Sequence, residues 1–269
     1  MSVHLRLAGI GKDYANHAAL LDIDLDVPAG QFLALVGPSG SGKTTLLKTI
    51  NRLVEPTRGT VTIDGQDTAA MPPPALRRGI GYVFQNIGLF PHMNVAENIW
   101  IVPGLLGRSG ARGRSGVGTG AQQQRVAELL DMVALPREFA QRSPSQLSGG
   151  QAQRVGFARA LAANPRIVLM DEPFGALDPV TRAELGGAFR ALHEKMGLTT
   201  IMVTHDIAEA LLLADRVVVL RSGAIIADGT PRDLVAAADA GAGEDNATGG
   251  LLSIPLRQAE RLAALRMAG

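Results

Sequence analysis

Short apolar runs alternate with helical patterns along this chain. Gln31-Phe32-Leu33-Ala34-Leu35-Val36 is apolar at every position after the first, which predicts a strand buried on both faces. A glycine-rich turn follows, then a helical pattern from about Lys43 to Leu53. Arg166 to Met170 and Thr199 to Val203 repeat the short, nearly all-apolar pattern, each after a helical segment. Strands of this kind separated by helices predict an α/β fold on a mostly parallel sheet with helices on both faces. Residues 1–30 and Thr57 to Asp64 differ. There polar and apolar positions alternate (Asp22-Ile23-Asp24-Leu25-Asp26-Val27; Thr60-Val61-Thr62-Ile63), predicting antiparallel strands at the N-terminal margin.

Between Pro91 and Leu147 the strand signal fades. Gly107 to Gly120 is a Gly/Ser/Arg-rich stretch with the composition of a solvated loop, and Gln122 to Val133 resumes a helical pattern. The expected organisation is an α/β core from residues 1–90 and 148–235 carrying an inserted helical subdomain at 91–147. Residues 236–269 read as a linker and short tail, with leucines at 256, 262 and 265 among arginines.

Composition narrows the chemistry. The 26 Lys+Arg against 25 Asp+Glu leave a net charge of +1, without the basic excess of a nucleic-acid binder. The absence of cysteine excludes disulfides, thiolate metal sites and thiol nucleophiles. Met1 to Arg6 lacks the basic-then-apolar pattern of a secretory signal, and the apolar stretch from Ala210 to Leu220 is broken by Asp215 and Arg216. The expectation is a soluble chain. Its mean hydropathy of +0.14 is high for one with no partner surface.

The catalytic vocabulary lies at strand ends. Gly37-Pro38-Ser39-Gly40-Ser41-Gly42-Lys43-Thr44 fits the phosphate-binding pattern GxxxxGK[ST], after a strand and opening a helix. Its glycines let backbone N–H groups turn inward around phosphates, and the helix offers its positive end. Lys43 then reaches β/γ oxygens and the Thr44 hydroxyl can ligate Mg²⁺. The strand Arg166-Ile167-Val168-Leu169-Met170 ends in Asp171-Glu172. Neighbouring strand residues point to opposite faces, so Asp171 is expected on Mg²⁺ and Glu172 on the attacking water.

A third element, Leu147-Ser148-Gly149-Gly150-Gln151, resembles the signature motif of ATP-binding cassette (ABC) ATPases. The other elements of that family follow in register. Tyr14 matches the adenine-stacking aromatic, Gln85 in Tyr82-Val83-Phe84-Gln85 the Q-loop glutamine, Gly175-Ala176-Leu177-Asp178 the D-loop and Thr204-His205-Asp206 the switch histidine. The resemblance runs from about residue 3 to 234. It implies a P-loop NTPase with a RecA-like core, binding ATP and Mg²⁺ and hydrolysing ATP as a head-to-tail homodimer. ATP would be held by Tyr14, Gly37, Pro38, Ser39, Gly40, Ser41, Gly42, Lys43, Thr44 and Thr45. Ser148, Gly149, Gly150, Gln151 and Asp178 would contact the partner's nucleotide. Glu172, His205, Lys43 and Gln85 would be catalytic, with Thr44, Gln85 and Asp171 around Mg²⁺. The remaining histidines, His4, His17, His92 and His193, have no expected role.

The strings Ile50-Asn51-Arg52-Leu53 and Ile87-Gly88-Leu89-Phe90-Pro91-His92 look like those of quaternary-amine importers, which take up glycine betaine, choline or carnitine. That resemblance implies an importer ATPase held at the inner face of the cell membrane by permease subunits, with a separate solute-binding protein capturing the amine. Ile87, Leu89, Phe90 and Pro91 are the expected lining of the permease groove. Many such ATPases carry regulatory CBS modules after the cassette, and residues 236–269 are too few for them. Phe84 and Asn86 depart from the family pattern. An importer ATPase for another solute, such as an amino acid, a polyamine, nitrate or a sulfonate, and a non-transport ABC ATPase stand as alternatives.

Overall fold

The computed structural model describes residues 3–106, 120–175 and 177–240, with the backbone alone for 238–240. From the N-terminus the chain forms β1 (Leu5–Tyr14), β2 (His17–Val27), β3 (Phe32–Val36) and α1 (Lys43–Ile50). Next come β4 (Arg58–Ile63), β5 (Gln66–Asp67), α2 (Pro73–Arg78) and β6 (Ile80–Val83). Three helices follow, α3 (Val95–Leu105), α4 (Gly120–Met132) and α5 (Gly149–Leu161). The remaining elements are β7 (Ile167–Asp171), α6 (Pro179–Met196), β8 (Thr199–Val203), α7 (Ile207–Leu213), β9 (Arg216–Arg221), β10 (Ala224–Gly229) and α8 (Pro231–Ala240).

The strands make two sheets. A six-stranded sheet has the order β10-β9-β3-β8-β7-β6, parallel throughout except for the antiparallel edge strand β10. A four-stranded antiparallel sheet has the order β2-β1-β4-β5. The alternating N-terminal strands therefore form a sheet of their own rather than a margin of the large one. Burial on both faces explains the all-apolar strands. Leu33 and Leu35 of β3 pack with Leu46, Leu47 and Ile50 of α1 and with Leu5, Leu7 and Ile10 of the small sheet. Phe32, Ala34 and Val36 face the other way, onto Phe157 of α5, Leu185 and Phe189 of α6 and Ala210 of α7. That second core continues into α3 and α4 through Ile99, Val126, Leu129 and Leu130.

Local chemistry sets the helix ends. Helix α1 stops at Ile50, short of the expected Leu53, because Arg52 takes a left-handed φ of 55° and the Asn51 Oδ1 accepts from the Leu53 N–H. Helices α3 and α5 each open with a capping box, Asn94 with Glu97 and Ser148 with Gln151. Asp178 caps α6, where Pro179 sits at the first turn, and Asp206 caps α7. The expected loop at 107–119 and the tail from 241 lie outside the described residues. Among the described residues no helix is long and apolar enough to cross a membrane.

The helical layer meets the large sheet through three aromatic rings. Phe157, fully buried, stacks on Phe174 at 5.6 Å between ring centroids and tilts against Phe189 at 5.1 Å. Truncating Phe157 to Ala is expected to cost about 3–5 kcal/mol, read from urea unfolding. A loss below ~1 kcal/mol would contradict this packing.

Candidate active site

Four strand ends on one edge of the parallel sheet supply the chemistry. After β3 the chain turns through Gly37, Pro38, Ser39, Gly40 and Ser41 into Gly42, the cap of α1. Gly42 sits at φ 100° with no side-chain cap, so the first N–H groups of α1 face the turn unclaimed. Two of these glycines are required by close approach. A Cβ on Gly37 would stand 2.1 Å from the Leu220 carbonyl oxygen, and one on Gly42 would stand 2.5 Å from that of Ala19. The turn is also tied to the β9–β10 hairpin, whose Gly223 N–H donates to the Ser41 carbonyl while its own carbonyl accepts from Leu21 N–H. Lys43 bends back across the turn and donates from Nζ to the carbonyls of Gly37 and Pro38, both at 2.8 Å. Burial lowers the pKa of its ammonium, and the carboxylates of Glu172 and Asp171 oppose that shift.

Thr44 reaches the end of β7. Its hydroxyl donates to Asp171 Oδ1 at 2.8 Å, and Asp171 is nearly buried. The chain then breaks its extended path at Glu172, which takes φ 46° while its N–H donates to the Val203 carbonyl. A left-handed glutamate is uncommon, and the turn swings this carboxylate away from Asp171. Glu172 Oε2 accepts from Gln85 Nε2 at 2.9 Å and lies 3.4 Å from His205 Nδ1. Gln85 thus meets Glu172 rather than the Thr44–Asp171 pair. Thr44 and Asp171 offer a hydroxyl and a carboxylate, oxygen donors that suit a small hard cation such as Mg²⁺.

A cavity of about 540 Å³ lies above this edge, lined by Tyr14, His17, Ala19, Ser39, Gly40, Ser41, Gly42, Lys43, Thr44, Thr45, Glu172 and His205. Tyr14 is 44% exposed at the far end of the β1–β2 hairpin, with Lys12 Nζ 5.1 Å from its ring centroid. Ser148, Gly149, Gly150, Gln151 and Asp178 do not line this cavity. They occupy the N-terminal ends of α5 and α6, and a Cβ on Gly150 would meet Thr181 Cγ2 at 3.0 Å, so the two ends adjoin. One chain therefore gathers the phosphate turn, Tyr14, Glu172, Gln85 and His205. It leaves the signature residues and Asp178 elsewhere.

The site also holds residues that the sequence did not single out. His17 pairs across the hairpin with Tyr14, and their rings lie 5.7 Å apart at 22°. Strand register alone carries that signal. The Tyr82 hydroxyl approaches Asp171 Oδ2 at 3.5 Å, and burial, with help from that carboxylate, holds its phenol pKa above the ordinary value. A separate apolar groove of about 210 Å³ runs between the sheet and the helical layer, with Leu53, Arg77, Tyr82, Phe84, Val102 and Arg159 among its walls. Leu53 and Phe84 are roughly half exposed there. Ile87, Leu89, Phe90 and Pro91 do not line it. Instead Arg159 donates to the carbonyls of Ile87 at 2.6 Å and Gly88 at 2.8 Å, and Leu89 packs on the core.

Beneath His205 lies Glu209, 8% exposed. Burial pushes its carboxyl up to about 7, with Asp206 adding to the rise and Thr204, Arg182 and His205 opposing it. Between its ordinary 4.5 and about 7 the folded chain holds a proton that the unfolded chain has released. Stability is therefore expected to fall as pH rises through that window. Glu209→Gln should flatten this part of a melting-temperature profile. An unchanged slope in the variant would assign the effect to another group.

Comparison with known proteins identifies the family and the fold. The family model for the ABC transporter matches residues 20–175. The glycine betaine/carnitine/choline transport ATP-binding protein OpuCA of Bacillus subtilis is 47% identical over 232 residues, 86% of this chain and 59% of that protein. The osmoprotectant import ATP-binding protein OsmV of Salmonella typhimurium is 48% identical over 81% of this chain and 55% of its own length. The Fe(3+) ions import ATP-binding protein FbpC of Pseudomonas fluorescens is 49% identical over 86% of this chain and 62% of its own. The chain thus spans between about half and two thirds of these relatives. Among solved structures, the dimeric ABC cassette MJ0796 bound to ADP and phosphate aligns with a TM-score of 0.74 at 35% identity, over 85% of this chain and 99% of that one. With the motifs in register and the fold shared, the chain belongs to the ABC transporter family.

Proposed function

We propose that this chain is the ATP-binding and ATP-hydrolysing subunit of an importer that takes up a quaternary-amine osmoprotectant of the glycine betaine, choline or carnitine class. The observation that carries the ATPase reading is the meeting of Glu172, Gln85 and His205 at the rim of the cavity that holds Lys43 and the open N-terminus of α1. The triphosphate lies on the Gly37–Thr45 turn, where backbone N–H groups, the α1 terminus and Lys43 neutralise it. Tyr14 stacks on the base. Thr44 and Asp171 would hold Mg²⁺, with Gln85 the further candidate ligand, and the ion would supply neutralisation of the phosphate charge. Glu172 orients and deprotonates the attacking water. Gln85 and His205 hold that carboxylate in place, and His205 also reaches the γ-phosphate.

Ser148, Gly149, Gly150, Gln151 and Asp178 lie exposed or half-exposed at adjoining helix ends, away from the chain's own cavity. That arrangement supports a head-to-tail homodimer in which each signature turn closes on the partner's ATP. The related MJ0796 cassette was itself solved as a dimer, which agrees with this assembly. The groove beside Leu53 and Phe84 is the candidate seat for an apolar helix of the permease. It would hold the chain at the inner, cytoplasmic face of the membrane, with the amine recognised by a solute-binding protein through aromatic contacts to its cation. The division into core (1–90 and 148–235) and helical subdomain (91–147) belongs to this reading.

A second reading has its own observation. Identity to the Fe(3+) importer subunit, 49%, is as high as that to the osmoprotectant subunits, so an importer of another solute fits the cassette as well. Purification with its permease and reconstitution into vesicles separates the two. ATP-dependent uptake of labelled glycine betaine or choline is expected. Stimulated hydrolysis without uptake of either selects the second reading.

Glu172→Gln should keep ATP binding, reduce turnover by at least about a hundredfold and trap an ATP-bound dimer in size-exclusion chromatography. Near-normal turnover would remove Glu172 from the role of base. Leu53→Glu and Phe84→Glu should release the permease on co-purification while leaving basal hydrolysis intact. Retention of the permease in both would argue against the groove.

A further inference from the structure

Two turns from different strand–helix connections are joined by one side chain. Arg182, in the first turns of α6, donates from Nη1 to Asp206 Oδ2 at 2.9 Å and from Nη2 to the Leu177 carbonyl at 3.1 Å. Its own N–H donates to the Asp178 carbonyl at 2.9 Å, so the side chain springs from the turn that it holds. Asp206 is committed on both oxygens, since Oδ1 accepts from the Glu209 N–H at 3.2 Å and caps α7. The Asp206 N–H in turn donates to Thr204 Oγ1 at 3.0 Å, closing the loop that carries His205.

The ends of this bridge face different ways. Leu177 precedes Asp178, which stands exposed outside the chain's own cavity. Asp206 follows His205, which lines that cavity beside Glu172. An arginine fork is suited to the task, because two donors in one rigid plane fix the relative position of two acceptors, whereas a lysine ammonium offers a single mobile point. The pair is neither fully wet nor sealed, with Arg182 and Asp206 side chains 29% and 33% exposed. A pair this exposed adds little to stability, so its two-acceptor geometry can set the position of the turns while remaining open to rearrangement.

We propose that Arg182 is a positioning residue that couples the Leu177–Asp178 turn to the His205 loop, so that closure of the partner subunit on Asp178 sets His205 over the chain's own nucleotide. The two ATP sites of the dimer are thereby linked through Arg182 and Asp206. This rests on the head-to-tail dimer proposed above. It adds that the cross-site signal runs through a side chain touching neither nucleotide.

The test compares steady-state hydrolysis against ATP concentration for the full chain and for Arg182→Met, Arg182→Lys, Asp206→Asn and the Arg182→Met/Asp206→Asn double variant. Binding of a fluorescent ATP analogue is measured on each. The wild type is expected to hydrolyse cooperatively. Arg182→Met should lower kcat on the order of tenfold, with affinity for the analogue within about twofold and the Hill coefficient falling towards 1. Arg182→Lys should recover part of kcat, and the double variant should be no worse than Arg182→Met alone. Asp206→Asn keeps a capping oxygen on α7 and must give the same split, which guards against a fold defect in the methionine variant. A cooperative wild type with unchanged kcat and Hill coefficient in Arg182→Met, or additive losses in the double variant, would overturn the coupling. A wild type that hydrolyses ATP without cooperativity while Glu172→Gln still traps a dimer would also overturn the coupling. Failure of Glu172→Gln to dimerise with ATP would instead sink the dimer reading itself.

Discussion

The chemistry of this chain depends on the register of four parallel strands. Val203 at the end of β8 stands level with Leu35 of β3 on one side and Asp171 of β7 on the other, and Val83 of β6 is level with Met170. Because these strands end together, the turns that follow them arrive at one place: the phosphate turn, Glu172, His205 and Gln85. The Thr44–Asp171 bond spans two of those connections. A slip of one residue in β7 would exchange its two faces, sending Asp171 to the opposite side and Met170 into its place. Because these strands are apolar and buried on both faces, burial alone does not oppose such a slip; the fit of unlike core side chains and the Thr44–Asp171 bond do.

Much of this was legible in the linear sequence. Phe32 to Val36 and Ile167 to Met170 are apolar throughout and Thr199 to Val203 nearly so, the pattern of strands buried on both faces. The phosphate turn was legible because its glycines answer a steric demand that other residues cannot meet, as the closeness of Gly37 to Leu220 illustrates. Less legible were features that depend on cross-chain register. Nothing local in Tyr14-Ala15-Asn16-His17 reveals that the two rings lie nearly parallel, and nothing in Thr181-Arg182 points to Asp206. The groove beside Leu53 and Phe84 was hidden for a related reason: its walls come from segments far apart in the chain, among them Leu53, Phe84, Val102 and Arg159.

Charge is distributed just as sparingly. Lys43 donates to two carbonyls of the turn, where burial lowers its pKa and the carboxylates of Glu172 and Asp171 oppose that shift. Glu172 and Asp171 are neighbours in sequence, yet a single left-handed residue separates their environments, one nearly buried against Thr44 and the other held between Gln85 and His205. Two adjacent acids thereby acquire different partners without any insertion in the chain.

The tie between the phosphate turn and the β9–β10 hairpin bears on how the chain becomes competent during synthesis. Ser41 and Leu21 both bond to Gly223, and the α-carbon of Gly37 rests against Leu220. A nascent chain that has left the ribosome only as far as α7 already contains every catalytic side chain discussed above. It has neither of the Gly223 bonds and no β9 for β3 to lie beside. The turn that reads first in the sequence is therefore among the last parts of the fold to be braced, so a ribosome-stalled or truncated product would carry the motif without its support.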